Sequence, residues 1–239
     1  VLDLYEQQIS NAFNVNAGEG YDLASATSLT TEILSAVVPM VLLVLLFSGC
    51  MAVAPESIAG EKERGTLATM LVTPVKRSHI AVGKIISLSC ISLLSGISSF
   101  LGLILSLPNL MSGVLDGMDL SMFNAGHYLM VLGVMLSTVL LLVAIISCIS
   151  ALAKSVKEAN SYVGPLNIVV VVVGLLSSLL GKGASPWLCL IPVYNSAAVV
   201  TQIMSLSVTP LSFILTIVSN IVYASAFVFL LTRMFNSEK

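Results

Sequence analysis

Five of the ten basic residues in this chain lie in one short segment, residues 54–84, although only 9% of all residues are charged. The five are Lys62, Arg64, Lys76, Arg77 and Lys84. Beside them, Leu67, Met70 and Leu71 recur at helical spacing and form an apolar patch. Charged side chains that set register, next to apolar side chains that become buried, are typical of a docking surface for a soluble protein. The alternative is a solvated loop whose charges only set membrane topology.

The local pattern of this segment predicts a short helix. Pro55 is tolerated in a first helical turn, and Glu61 and Arg64 are three residues apart, so they can pair on one helix face. Pro74 disfavours helix in the residue before it. We therefore expect a helix over 58–72, a break, and a second helix that re-enters the membrane.

Residue patterns for catalysis, metal binding or nucleotide binding are missing from the sequence. The two histidines, His79 and His127, fall at opposite ends of the predicted membrane helices, whose cores contain no Asp or Glu. The closest approach to a phosphate-binding G-x-x-x-x-G-K-[ST] loop, residues 174–183, has the wrong spacing and ends in Gly. The four cysteines include no C-x-x-C pair, which predicts neither a zinc site nor a disulfide framework. We expect no catalytic residue, metal or cofactor in this chain, and a net charge of −2 gives no reason to expect nucleic acid.

The elements that position these residues are membrane helices. Hydrophobic residues make up 57% of the chain, and its mean hydropathy is +1.03. Five stretches are long and apolar enough to span a bilayer as helices: 34–53, 85–107, 128–152, 163–180 and 211–231. The sequence therefore predicts an all-α polytopic membrane protein, with one transmembrane domain over 32–235.

The basic residues predict the orientation of these helices. Nine of the ten fall on one side and only Lys182 falls on the other, so the first side is expected to be cytoplasmic. Residues 1–31 are then an extracytoplasmic segment, and residues 236–239 are a cytoplasmic tail. We expect a multi-pass protein of the plasma membrane in which a further spanning helix precedes Val1.

One face of the second predicted helix carries only small residues, at steps of three and four. They are Ser92, Ser95, Ser99, Gly102 and Ser106. Small residues permit close helix packing in membranes. The same face could instead line a path through the membrane or form the seam against a second membrane subunit. Asn167 and Asn220, also in predicted helices, are interpreted as helix–helix hydrogen-bond partners rather than ligands.

The outer segment 182–210 is too apolar for a free loop and too broken to span, because prolines interrupt it at 186, 192 and 210. We expect one or two short re-entrant helices, with Asn195 or Ser196 as the N-cap of the second. The candidate residues of this segment are Pro192, Tyr194 and Asn195. The alternative is an amphipathic helix on the membrane surface, anchored by Trp187 and Tyr194.

The charged segment resembles the signature of ABC permeases of the second exporter type. In that family a Glu-x-Glu-Arg-Gly-Thr run, a Thr-Pro and a Gly-Lys follow one another. The matching positions are Glu61, Glu63, Arg64, Gly65, Thr66, Thr73, Pro74, Gly83 and Lys84. Residues 191–195, Ile-Pro-Val-Tyr-Asn, are similar to the sodium-export branch of the family. The resemblance implies six spanning helices and a separate ATP-hydrolysing subunit that carries ATP and magnesium.

The predicted function is the permease subunit of an ATP-driven exporter, with possible sodium transport. The expected partners are a cytoplasmic ABC ATPase, a second permease copy or paralogue, and the lipid membrane. The expected ATPase-coupling residues are Glu61, Glu63, Arg64, Gly65, Thr66, Leu67, Met70 and Leu71, with Gly65 as a site of close backbone approach. Two alternatives stay open: export of drugs or lipid-like molecules, and a membrane scaffold or sensor that transports nothing.

Overall fold

The computed structural model describes residues 26–66, 69, 77–111, 123–180 and 190–237. Within these ranges the chain forms six helices and no strand: α1 (Ala26–Glu63), α2 (Arg77–Met111), α3 (Ala125–Leu152), α4 (Val156–Leu180), α5 (Tyr194–Met204) and α6 (Pro210–Ser237). All except α5 are long and apolar enough to cross a membrane, which confirms the predicted fold class and the five predicted spans. Most of segment 1–31 and the last two residues of segment 236–239 lie outside the described residues.

The centre of the bundle is formed by α1 and α3. Helix α1 packs against α2, α3, α4 and α5, and α3 packs against every other helix. The most apolar span is α3, with a mean hydropathy of 2.9, and 61% of its 18-residue apolar stretch is buried. Only 22% of the corresponding stretch of α4 is buried. Phe47 and Leu43 of α1 and Leu141, Leu142 and Ile146 of α3 are fully buried. Since lipid is as apolar as these side chains, close packing stabilises the centre more than water exclusion does.

The helices alternate in direction, so one end of the bundle gathers the basic side chains. We call this end, formed by the last turns of α1, α3 and α6 and the first turns of α2 and α4, the basic end. Its basic residues with described side chains are Lys62, Arg64, Lys84, Lys154, Lys157 and Arg233. The first turns of α1, α3 and α6, the last turns of α2 and α4, and the connection between α5 and α6 lie at the opposite end.

Helix α1 is longer than the sequence predicts. It runs without interruption through Pro39 and Pro55 to Glu63, so no separate helix begins at residue 58 as predicted. Residues 67, 68 and 70–72 of the predicted helix lie outside the described residues. A proline inside a membrane helix is tolerated where neighbouring protein surrounds it, and Pro55 is buried. The helix ends at a turn in which the Arg64 N–H donates to Gly60 O at 3.0 Å, and Gly65 adopts a φ of +73°.

Helix α5 is short and completely enclosed. All of its residues are buried, and it contacts α1, α3, α4 and α6. Its two flanks carry non-glycine residues with positive φ: Val193 at 70° and Leu206 at 55°. This backbone region is sterically unfavourable for L-residues, most of all for a β-branched side chain. The packing around α5 must therefore hold both flanks in place.

Candidate functional site at the basic end, and the buried amide cluster

The charged residues of the motif form ion pairs that differ from the predicted one. Arg64 pairs with Glu56, not with Glu61, because Glu61 is occupied by Lys84 of α2. The Arg64 and Glu56 side chains are 68% and 51% exposed. An ion pair in water contributes little to stability, so this pair leaves Arg64 free to exchange partners.

Lys84 connects the beginning of α2 to the last turns of α1. Its Nζ pairs with Glu61 Oε2 and donates to Ser57 O at 3.1 Å. The Lys84 side chain is only 9% exposed and that of Glu61 is 27% exposed. Because both groups are shielded from water, this contact is held more strongly than the one between Arg64 and Glu56.

Two further contacts connect α1 to the turn between α3 and α4. Lys62 Nζ donates to Ala151 O at 3.1 Å, and the Val156 N–H donates to Glu63 Oε2 at 3.0 Å. Gly60 allows this approach, because a Cβ at that position would lie 3.3 Å from Val156 Cγ2. We call these contacts of Glu61, Lys62, Glu63 and Lys84 the clasp.

The predicted coupling residues are therefore divided between two surroundings. Glu61 and Glu63 bind other parts of the same chain, whereas Arg64, Gly65 and Thr66 form an exposed turn. Thr66 Oγ1 donates to Glu61 O at 3.1 Å and so ties this turn to the helix end. The apolar patch of Leu67, Met70 and Leu71 lies outside the described residues.

Gly65 has a conformational role within the chain, and the expected close approach of a partner to this residue stays a prediction. A Cβ at this position would meet no described atom within 4 Å. Its φ of +73° is instead the left-handed conformation that ends many helices and that glycine adopts at least cost. The Gly65 N–H donates to Lys62 O at 3.1 Å, which closes the last turn of α1.

The small-residue face of α2 is used for packing at only one end. Ser92 is buried, and a Cβ at Gly49 of α1 would lie 3.2 Å from Ser95 Oγ. A Cβ at Gly96 would collide with Leu46 Cδ2 of α1. The sequence reasoning passed over Gly96, although it lies one helical turn after Ser92.

The other end of this face makes no close contact in the described structure. Ser99 is half-buried, and Gly102 is exposed with no described atom within 4 Å of a Cβ. Ser106 lies in α2, but its side chain is outside the description. The face therefore changes along its length from a packing surface against α1 to an open surface.

The second buried polar region joins α3, α5 and α6. We call it the amide cluster; its members are Ser137, Thr138, Asn195, Ser196, Ser219 and Asn220, all buried. Asn195 Nδ2 donates to Ser219 Oγ at 2.6 Å and to Asn220 Oδ1 at 2.9 Å. These bonds attach the beginning of α5 to the middle of α6.

Asn220 and Ser196 complete the cluster. Asn220 Nδ2 donates to Ser137 Oγ at 3.2 Å and to Ser196 Oγ at 2.9 Å. Thr138 Oγ1 lies 2.8 Å from Ser196 Oγ, which adds a second contact to α3. As expected from the sequence, Asn220 thus serves as a helix–helix hydrogen-bond partner, here to two other helices at once.

The contacts of α5 fix its depth in the bundle. Asn220 lies ten residues after Pro210, so the start of α5 is roughly 15 Å inside the bundle. At the other end of α5, Ser212 Oγ donates to Gln202 Oε1 at 2.8 Å, close to the first turn of α6. Helix α5 therefore enters from the end opposite the basic end and reaches the middle. This burial excludes the surface-helix alternative.

The predicted cap of α5 is wrong. The N-cap residue is Val193, whose side chain makes no capping bond. Asn195 lies inside the first turn, where its Oδ1 accepts the Ser196 N–H at 2.7 Å. Tyr194 is buried and Pro192 half-buried, and Tyr223 Oη donates to Leu190 O at 2.9 Å just before the helix.

The chemistry available to the described part of the chain is limited to binding and packing. Its described residues contain no group of three or more His, Cys, Asp or Glu that could hold a metal ion. The polar side-chain atoms in the middle of the described bundle belong to amides and hydroxyls, and those of the amide cluster bind one another. A groove of about 560 Å³ runs between α2, α3 and α6 in the half near the basic end, with Val82, Leu140 and Phe229 among its apolar walls.

Comparison with known proteins agrees with the motif. The family model for ABC-2 family transporter protein matches residues 3–233. The ABC transporter permease protein NatB of Bacillus subtilis (strain 168) is 30% identical over 161 residues, 66% of this chain and 40% of that protein. The chain thus aligns with only about two fifths of that relative. No solved structure matches. The chain belongs to the ABC-2 family of transporters.

Proposed function

We propose that this chain is the permease subunit of an ATP-driven exporter, which moves its substrate out of the cell by alternating access. The observation that carries the proposal is the position of the family motif. Its exposed part, Arg64–Thr66, follows directly on the helix end that the clasp joins to α2 and to the turn between α3 and α4. A protein that binds this turn would act on four helices through one contact surface.

The basic end is proposed to face the cytoplasm. All of the described Lys and Arg side chains lie at this end, which is the distribution that the positive-inside rule associates with the cytoplasmic side. The opposite end, with the connection between α5 and α6, would then face outward. In this orientation the chain is a multi-pass plasma-membrane protein with an external N-terminal segment and a cytoplasmic C-terminus.

The proposed assembly contains two permease halves and two cytoplasmic ATPase subunits. ATP and magnesium would be bound only by the ATPase subunits. Closure of these subunits on ATP would displace the connection between α1 and α2. The displacement would then pass into both helices and reorient the two halves between inward-open and outward-open states.

For the substrate we propose two candidates. Sodium is supported by the similarity of residues 191–195 to the sodium-export branch. A lipid-like or amphipathic molecule is supported by the groove between α2, α3 and α6, whose walls are mainly apolar. The mid-bundle side-chain oxygens of the described residues are neutral, and those of the amide cluster bind one another.

The test is reconstitution of the full-length chain in lipid vesicles with the cytoplasmic ABC ATPase proposed as its partner. The proposal predicts that the two proteins purify together and that ATP drives transport of sodium or of a fluorescent lipid. Co-purification with ATP hydrolysis but no transport of any tested compound would favour the scaffold or sensor alternative. A chain that retains no ATPase would contradict the proposal.

A further inference from the structure

Glu61 and Lys84 join the two ends of the connection between α1 and α2, residues 64–76. Both residues belong to the family motif, yet they bind each other within this chain. Lys84 is 9% exposed, and its Nζ also donates to the backbone of α1 at Ser57 O, 3.1 Å away. A lysine enclosed in this way offers little of its side chain to another protein.

The neighbouring contacts extend the same joint to α3 and α4. Lys62 and Glu63, one and two residues after Glu61, bind Ala151 O and the Val156 N–H respectively. Three consecutive residues in the last turn of α1 thus contact three different neighbours: α2, the end of α3 and the beginning of α4. Arg64, the next residue, faces water. The motif changes from inward-facing to outward-facing within one helical turn.

We propose that Glu61 and Lys84 are positioning residues for energy coupling. They make the bases of α1 and α2 move as one body when an ATPase displaces the connection between them. Without the pair, the connection can shift against each helix separately, and ATP hydrolysis is no longer coupled to helix movement. This inference rests on the proposed function, and it assigns to two motif residues a role inside the chain rather than at the ATPase surface.

The first experiment compares Lys84→Met with Lys157→Met, which removes the same charge from an exposed position at the same end. Both variants of the full-length chain are purified with the ATPase in vesicles. For Lys84→Met we expect normal co-purification but an about tenfold loss of permease-stimulated ATP hydrolysis, a ratio equivalent to about 1.4 kcal/mol. Lys157→Met should retain both co-purification with the ATPase and the stimulation of ATP hydrolysis.

A charge exchange tests whether the partner is within the chain. Lys84→Glu alone places two carboxylates together and should abolish stimulation. Adding Glu61→Lys should restore stimulation to within about threefold of the original, because the ion pair is rebuilt while the bond to Ser57 O is lost. If Lys84→Met fails to fold, the charge exchange still tests the inference. The double variant should then recover both the amount of folded protein and the stimulation of ATP hydrolysis.

Three results would overturn the inference. Lys84→Met could stimulate hydrolysis as well as Lys157→Met does. The double variant could stimulate ATP hydrolysis no better than Lys84→Glu alone. Lys84→Met could lose co-purification with the ATPase, which would place Lys84 at the ATPase surface. If the original chain neither retains the ATPase nor stimulates it, the proposed function fails, and this inference fails with it.

Discussion

At the basic end α1 is held to its neighbours by charged side chains, whereas in the middle of the bundle α5 is held by neutral amides and hydroxyls. The clasp uses Lys and Glu with partial access to water. The amide cluster uses Asn, Ser and Thr with almost none. A charge in the bilayer centre costs several kcal/mol or more, while a satisfied amide costs far less. The depth of each contact in the bundle therefore determines whether charged or neutral side chains make it.

The comparison also suggests how the two regions respond to change. The exposed ion pair of Arg64 with Glu56 is weak and can exchange partners, which suits a docking surface, whereas the more shielded clasp holds α1 to its neighbours. Buried amide contacts are costly to leave unsatisfied, which suits a helix that must keep its depth. The following predictions test this difference from the largest expected effect to the smallest.

The largest effect is expected from Asn220→Leu. This change removes three hydrogen bonds of the amide cluster, to Ser137, Asn195 and Ser196. The free energy of unfolding should fall by on the order of 2–3 kcal/mol, because buried polar partners are left unsatisfied. Thermal unfolding of the purified protein in detergent measures the loss.

The matched control is Asn167→Leu. Asn167 is half-buried in α4, and its side chain makes no hydrogen bond to any described residue. This variant should unfold within a few degrees of the original protein. Equal losses from both variants would mean that the cluster contributes nothing beyond the burial of an amide in the membrane.

A smaller effect is expected where α2 packs on α1. Gly96→Val should lower the free energy of unfolding by about 1–2 kcal/mol, since the new side chain displaces Leu46. Gly102→Leu should leave the unfolding temperature unchanged, because the position is exposed and has no described neighbour within 4 Å of a Cβ. Normal assembly with lost transport in Gly102→Leu would place this end of the face on a path or on a seam between permeases. If Gly102→Leu destabilised the protein more than Gly96→Val does, the packing described for α2 would be contradicted.

The smallest effect on stability is expected from Arg64→Ala. The exposed pair with Glu56 should contribute less than about 1 kcal/mol. Binding of the ATPase should nevertheless weaken at least about tenfold if Arg64 faces that partner. Arg233→Ala, an exposed arginine at the same end, serves as the control in a co-purification titration. If Arg64→Ala binds the ATPase as tightly as the original chain, then Arg64 contributes to membrane topology and not to ATPase binding.

The sequence predicted the parts of the fold that depend on hydropathy along the chain. All five spans follow from runs of apolar residues, because each run must satisfy its backbone groups as a helix in lipid. The apolar character of 182–210, with its prolines, likewise indicated that the chain enters the bundle without crossing it. These features depend on composition over ten or more residues, which a sequence displays directly.

The contacts between helices could not be predicted in the same way. Glu61 has a suitable partner three residues away at Arg64, yet Lys84 of another helix takes it. Pro55 is a common helix start, but packing around it allows α1 to continue. Gly96 and Gly102 lie on one small-residue stripe, and only the crossing of α1 separates their roles. Each outcome depends on which helix lies opposite, a relation that one sequence does not display.

The most direct test of the proposed function is site-specific photo-crosslinking in cells that express the full-length chain with the ABC ATPase proposed as its partner. One probe replaces Thr69, an exposed residue beyond the end of α1, and the other replaces Thr209, an exposed residue at the opposite end. The account predicts a crosslink to the ATPase from position 69 and none from position 209. A crosslink from position 209, or none from position 69, would contradict the assignment of the basic end as the cytoplasmic docking surface.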